Sequence, residues 1–134
     1  FPTRMAVRIG YDEALSHRMF AGGDAVLVPS RFEPCGLTQL YGLKYGAVPV
    51  VAATGGLNDT VIGATPASLS ANAATGITFH PIDTVGLAGA LRQLVRLHGD
   101  RPGWSRLVKR AMHAEVGWSA PAAAYDALYR GLLA

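Results

Sequence analysis

Two uninterrupted apolar runs limit the folds that this chain can adopt. AVLVPS (25–30) and AVPVVAA (47–53) have the length of strands and carry no charge, as is typical of strands buried on both faces of a parallel sheet. GITFHP (76–81) is another strand-like run, and it precedes the stretch 84–99, whose apolar spacing is that of a helix. Because strands and helices alternate, the sequence predicts an α/β fold with a parallel sheet and right-handed crossovers.

The other segments predict one more strand and four more helices. RMAVRIGY (4–11) alternates apolar and polar residues, which indicates a short first strand and gives a sheet of about four strands. The additional helices are predicted at 12–24, at 36–45, from Pro102 and from Ser119. Asp83 is the expected N-cap of the helix at 84–99, whereas 63–75 has the composition of a loop. We expect a single domain over residues 1–134, with a sheet that looks like the second half of a larger one.

Composition restricts the class of protein. Half of the residues are hydrophobic and 16% are charged, which is typical of a globular chain. No apolar run approaches the ~20 residues needed to cross a bilayer, and FPTRMAVRIG lacks the apolar core of a secretory signal. Cys35 is the single cysteine, so no internal disulfide can form and a cytoplasmic compartment is expected. The chain does not begin with Met, which suggests a fragment or a processed product.

The net charge of +3 is unevenly distributed along the chain. Six basic residues fall within 19 positions: Arg92, Arg96, Arg101, Arg106, Lys109 and Arg110. Such a cluster is typical either of a nucleic-acid or acidic-lipid surface or of the solvated faces of amphipathic helices, and the second interpretation is favoured because no nucleic-acid motif accompanies it. We therefore expect no nucleic-acid and no membrane partner. The four histidines have no carboxylate or cysteine at ligand spacing, so no metal is assigned.

Residues 33–38 carry the features of an anion site at the end of a predicted strand. Pro34 favours an extended conformation for Glu33, and the helix predicted from about Gly36 would aim unpaired N–H groups at the carboxyl edge of the sheet, where ligands bind. The Thr38 hydroxyl adds a donor, and Glu33 can accept hydrogen bonds from sugar hydroxyls. From spacing alone, an equally good interpretation is that Glu33 supports the helix start and Gly36 only turns the chain.

A second candidate loop, TGGL (54–57), follows the next strand at the same edge. Paired glycines can form a nest of N–H groups around an oxyanion, although Gly-Gly is also an ordinary turn. Two such loops on adjacent strands suggest a diphosphate ligand. Tyr11 lies near the same edge, where it either stacks on a purine or is a rim aromatic. Cys35 has the position of a nucleophile but no base is visible beside it, so a packing or ligand-adjacent role is expected.

The motif PSRFEPCGLTQLYGLKYG (29–46), followed by TGGL, resembles the C-terminal domain of bacterial glycogen synthase and plant starch synthase. The close resemblance covers about residues 7–62. These enzymes are retaining GT-B glycosyltransferases, so the resemblance implies a partial Rossmann-like sheet from the second half of that domain. It also implies transfer of glucose from ADP-glucose to the non-reducing end of an α-1,4-glucan, with no cofactor. The location implied is the bacterial cytoplasm, or a plastid if the source is a plant.

The resemblance also implies roles for individual residues. Glu33 matches the acid that contacts the donor glucose and is the catalytic candidate. The implied substrate-binding residues are Tyr11 on the adenine side, Cys35, Gly36, Leu37 and Thr38 at the phosphate-binding helix start, and Thr54, Gly55 and Gly56 in the second donor loop. Related enzymes carry a second acid where this sequence has Tyr41, which leaves the ribose contact open.

Parts of the family's architecture are absent from this chain, and three expectations follow. The glucan acceptor would bind through the missing N-terminal domain, so the isolated chain is expected to be inactive as a transferase. A truncated sheet exposes an edge, so self-association is expected. Two alternatives stay open: another GT-B enzyme with a different donor, or a noncatalytic module that presents the basic helices at 85–113 to a partner.

Overall fold

Three strands alternate with helices in the computed structural model, which describes residue 1 and residues 3–133. The strands are β1 (Ala25–Val28), β2 (Val48–Ala52) and β3 (Ile77–Phe79). The helices are α1 (Glu13–Gly22), α2 (Thr38–Tyr45), α3 (Gly55–Thr60), α4 (Pro66–Ser70), α5 (Thr84–Gly99), α6 (Arg101–Met112) and α7 (Ser119–Leu133). The predicted α/β class is confirmed.

The three strands form one parallel sheet in the order β1-β2-β3. The central strand is β2, where Val50 pairs with Leu27 of β1 and with Ile77 of β3. All five residues of β2 are buried, which explains why its sequence is an unbroken apolar run. The sequence interpretation of a parallel sheet is therefore correct.

The strand predicted at 4–11 is wrong, so the sheet has three strands rather than four. Among the described residues, no strand pairing joins this segment to the sheet, and the side chains of Val7 and Ile9 are 81% and 96% exposed. Alternation alone does not make a strand, because a strand also needs a neighbouring strand with which its backbone groups can pair.

The stretch 63–75 and the start of α2 also differ from the sequence prediction. The stretch 63–75 is not only a loop, because it contains α4, whose start is held by a capping box in which Ser68 N–H donates to the Thr65 hydroxyl. Helix α2 begins at Thr38, two residues after the predicted start. The predicted cap of α5 is confirmed, since a carboxylate oxygen of Asp83 accepts from the N–H groups of Val85 and Gly86 at 2.9 and 2.8 Å.

Two hydrophobic cores lie on opposite faces of the sheet, because successive side chains of a strand point to opposite sides. Val50 belongs to the first core, which includes Trp104 and Leu107 of α6. Val51 belongs to the second core, which includes Leu57 of α3 and Val28 of β1. The second core therefore anchors α3, the helix that carries the two glycines of TGGL, directly against the sheet.

The last helix, α7, contributes nothing to these cores. None of its described residues is buried, and its large apolar side chains, including Tyr125 and Leu132, are more than half exposed. Within the described part of the chain, no helix combines the length and apolarity that crossing a membrane requires.

Candidate functional site

The carboxyl ends of all three parallel strands meet at one edge of the sheet, and the predicted site residues follow two of them. Glu33 comes after β1, and Thr54 comes after β2 and is the N-cap of α3. Glu33 is half-buried, and one oxygen of its carboxylate accepts a hydrogen bond from the Ser30 hydroxyl at 3.2 Å. An open depression of ≈ 180 Å³ lies at this edge and is lined in part by Pro29, Arg31 and Asp83.

The start of α2 is an uncapped helix N-terminus beside Glu33. The N-cap residue is Leu37, and no side chain of the described residues hydrogen-bonds to the N–H groups of the first turn there. These N–H groups have no partner inside the helix, and the dipole of an eight-residue helix favours an anion at this end. Leu37, Thr38 and Cys35 are exposed around it. Gly36 precedes the helix with φ +73°, a conformation that favours glycine.

Gly55 and Gly56 allow the second loop to touch the first. The N–H of Gly56 donates to the carbonyl oxygens of Glu33 and Pro34 at 3.3 and 3.1 Å. A Cβ added to Gly55 would overlap the Glu33 carbonyl oxygen, and one added to Gly56 would lie 2.7 Å from the Cα of Cys35. Gly55 also has φ +44°. The paired glycines therefore allow the two loop backbones to pack closely. The Gly56 N–H is hydrogen-bonded within the protein, so it is not available to bind an anion in a nest.

A buried glutamine that the sequence analysis did not single out joins the two loops. The side chain of Gln39 is 0% exposed, and its amide nitrogen lies 2.9 Å from both the Cys35 and Gly36 carbonyl oxygens and 3.2 Å from the Thr60 hydroxyl. That hydroxyl donates to the Gly56 carbonyl oxygen at 2.6 Å. Arg31, which lines the depression, was not singled out either, because neither residue belongs to a spacing pattern that marks a site.

The structure brings most of the predicted site residues together, whereas no contact of Tyr11 with them is recorded among the described residues. Glu33, Cys35, Gly36, Leu37 and Thr38 form one loop and helix start, which contacts the segment 54–56. The side chain of Tyr11 is 89% exposed and takes part in no hydrogen bond or aromatic contact among the described residues. Tyr11 thus stays a prediction. Across those same residues, no group of three histidines, cysteines or carboxylates is arranged to hold a metal ion.

Tyr41 has a packing role in the structure. Its ring makes an edge contact with His17 of α1 at 5.5 Å between centroids and a tilted contact with Phe20 at 5.7 Å. His17 also hydrogen-bonds to the Tyr45 hydroxyl at 2.8 Å. The position where related enzymes carry a second acid is therefore occupied by an aromatic residue that joins α1 to α2.

Comparison with known proteins identifies homologues along the whole chain. A glycogen synthase of Cereibacter sphaeroides is 63% identical over 134 residues, which is 100% of this chain and 28% of that protein. The glycogen synthase of Jannaschia sp. is 61% identical over 126 residues, or 94% of this chain and 27% of that protein. The chain is homologous to a segment of the glycogen synthases. It spans just over a quarter of the length of these curated relatives, and no protein-family model matches it.

Two solved structures are similar to this chain as well. The catalytic domain of Arabidopsis thaliana starch synthase IV, solved bound to ADP and acarbose, superposes with a TM-score of 0.83 at 38% identity, over 91% of this chain and 25% of that one. Sucrose-phosphate synthase from Thermosynechococcus elongatus superposes with a TM-score of 0.58 at 28% identity, over 85% of this chain and 26% of that one. The fold matches part of a GT-B glycosyltransferase domain.

Proposed function

We propose that the chain is the donor-binding segment of a retaining glucosyltransferase of the glycogen synthase type. The intact enzyme would transfer glucose from ADP-glucose to the non-reducing end of an α-1,4-glucan. One observation carries this proposal: the uncapped start of α2 lies beside Glu33 and is held against the loop 54–56 at the carboxyl edge of the sheet. Support also comes from the starch synthase neighbour, which was solved with ADP and acarbose.

Each loop would have a distinct task in binding the donor. The first-turn N–H groups of α2 would bind the diphosphate, because free amides and the helix dipole both favour an anion. The exposed Thr38 would donate from its hydroxyl. Glu33 would accept hydrogen bonds from glucose hydroxyls, and the Ser30 hydroxyl, 3.2 Å from its carboxylate, fixes its orientation. Because Glu33 would contact the sugar of the reacting donor, it remains the catalytic candidate.

The proposal includes the inactivity of the isolated chain and its association with itself. Stabilising charge on a departing phosphate depends on preorganised donors aimed at the atoms where the charge develops. Since this chain corresponds to 28% of a relative, it would supply a part of those donors. We therefore expect no glucan elongation by the 134-residue chain. Among the residues that the structure describes, β1 pairs with β2 alone, so its other edge would expose unpaired backbone groups that favour pairing with a second chain. A cytoplasmic location agrees with the bacterial relatives and with the free thiol of Cys35.

Calorimetric titration of the chain with ADP and with ADP-glucose tests the donor site. The Glu33→Ala variant should bind ADP-glucose about tenfold more weakly, as expected for a lost charge-assisted hydrogen bond, with little change for ADP. Gly36→Val should lose both ligands, because φ is +73° and the new Cβ would lie 2.6 Å from the Gln39 carbonyl oxygen. Binding should weaken as salt is raised.

A matched control variant distinguishes the proposed donor site from the alternative of a noncatalytic module. The Asp126→Ala variant removes an exposed carboxylate of α7 that forms an ion pair with Arg130, so it should bind both ligands as the unmodified chain does. Ligand binding that is insensitive to both Glu33→Ala and Gly36→Val would contradict the donor site and favour the module.

A further inference from the structure

We propose that Gln39 and Thr60 are positioning residues that set the distance between the two loops of the donor site. The inference rests on the proposed function, since it concerns the site that would bind the diphosphate. Neither side chain would contact the ligand. Both would act through hydrogen bonds to the backbone: Gln39 binds Gly36, which lies just before α2, and Thr60 binds Gly56, the second residue of α3.

The chemistry of the partners fixes the orientation of the Gln39 amide. Its nearest neighbours include the carbonyl oxygens of Cys35 and Gly36, which can only accept hydrogen bonds. The Thr60 hydroxyl gives its proton to the Gly56 carbonyl oxygen, so it must accept from Gln39. The NH₂ group is thus the end that faces all three atoms, and the hydrogen bonds run in one direction from α2 to α3.

Together these hydrogen bonds close a ring around Gly56. Its carbonyl oxygen accepts from Thr60, and its N–H donates to the carbonyl oxygens of Glu33 and Pro34. The Gln39 amide completes the ring, because it donates to the Thr60 hydroxyl and to the carbonyl oxygens of the two residues before Leu37, the N-cap of α2. A shift at Gln39 or Thr60 therefore changes the position of Gly36 relative to Gly56, and with it the distance between the two loops.

Packing does not explain why an amide occupies this place. The carbonyl oxygen of Gln39 is buried and has no hydrogen-bond partner among the described residues, which costs free energy. An apolar side chain of similar shape, such as methionine, would avoid that cost but could not bind the three oxygen atoms. Local exceptions of this kind are expected at functional sites, where position is favoured over stability.

The test compares Gln39→Met, Thr60→Val and Thr60→Ser in the 134-residue chain. Calorimetry with ADP should give a dissociation constant about tenfold higher for Gln39→Met and for Thr60→Val, the size of a lost hydrogen bond in a buried network. Thr60→Ser keeps the hydroxyl, so its dissociation constant should stay within about twofold of the unmodified chain. The double variant that combines Gln39→Met with Thr60→Val should bind ADP no more weakly than the single variant of lower affinity. The two effects should not add, because both changes break the same hydrogen-bond network.

A control variant distinguishes positioning from general destabilisation. Val48→Ala removes buried apolar volume from the first core, on β2 and away from both loops, so it should lower the melting temperature and leave ADP affinity unchanged. The proposal is overturned if Gln39→Met and Thr60→Val weaken ADP binding no more than Val48→Ala does. It is also overturned if Thr60→Val and Thr60→Ser behave alike.

A second readout does not depend on the ligand. Amide hydrogen exchange, measured by NMR without ADP, should be about tenfold faster at Gly56 in Thr60→Val than in Thr60→Ser, because the loop opens more often. If the unmodified chain fails to bind ADP, the proposed donor site fails on this chain, and the exchange rates still decide the positioning role. Equal exchange at Gly56 in the two variants would overturn it.

Discussion

The sharpest test of the contact between the two loops is the substitution Gly56→Ala. A Cβ at this position would lie 2.7 Å from the Cα and the carbonyl oxygen of Cys35 and 2.9 Å from the carbonyl oxygen of Pro34. All three are backbone atoms, so no side chain can rotate away to make room. The loops must separate, and the hydrogen bonds from the Gly56 N–H to Glu33 and Pro34 must lengthen or break.

The expected size of the effect follows from these contacts. Inserting a methyl group into a packed site costs about 1–3 kcal/mol, and a lost hydrogen bond adds about 1 kcal/mol, so we expect the free energy of unfolding to fall by about 2–4 kcal/mol. An unfolding entropy of roughly 2.1 cal/mol/K per residue gives about 0.28 kcal/mol/K for a chain of 134 residues. The melting temperature should then fall by about 7–14 °C.

Thermal unfolding followed by circular dichroism measures this change, with Gly89→Ala as its control. Gly89 lies inside α5, and an added Cβ there would meet nothing within 4 Å. Alanine in a helix interior is favoured over glycine by about 0.5–1 kcal/mol, so this variant should melt about 2–4 °C higher. A Gly56→Ala chain that melts at or above the unmodified temperature would refute the close approach of the two loops.

Three further predictions concern the cap of α5, the purine and the sheet edge. Asp83→Ala should lower stability by about 0.5–2 kcal/mol because two N–H groups lose their acceptor, and a melting curve of Asp83→Asn, which keeps an oxygen there, should recover most of the loss. If Tyr11 stacks on adenine, Tyr11→Ala should weaken ADP more than UDP in calorimetry; equal losses would argue against that role and for a different donor. Sedimentation should show association that rises with concentration, and Leu27→Lys on β1 should reduce it; a monomer at every concentration would contradict an open edge.

The sequence was sufficient for the elements whose signals are local. The helix α5 was predicted with its observed bounds because Asp83 caps it and its apolar spacing is regular. Strand β2 was predicted to within a residue because a centre strand is apolar throughout. The edge where the loops meet also follows from strand direction alone.

Features that depend on distant partners were not predictable in the same way. The segment 4–11 has the alternation of a strand, yet pairing requires a neighbour that alternation cannot reveal. From the sequence alone, Gln39 resembles a surface residue on a short helix. Its burial is visible only in the fold, where its amide contacts Thr60 and the turn before α2. For Gly55 and Gly56 the sequence left an anion nest and an ordinary turn both open, and their contact with Glu33 is visible only when β1 and β2 are side by side.

The N–H and the carbonyl oxygen of Gly56 are both hydrogen-bonded. The two donor loops should therefore move together. Neither can swing as an independent flap over a ligand, so any rearrangement on nucleotide arrival is a concerted displacement of both. NMR relaxation measurements should then find one exchange rate for Gly36 and Gly56 rather than two. The hinge residues of such a motion should lie outside both loops.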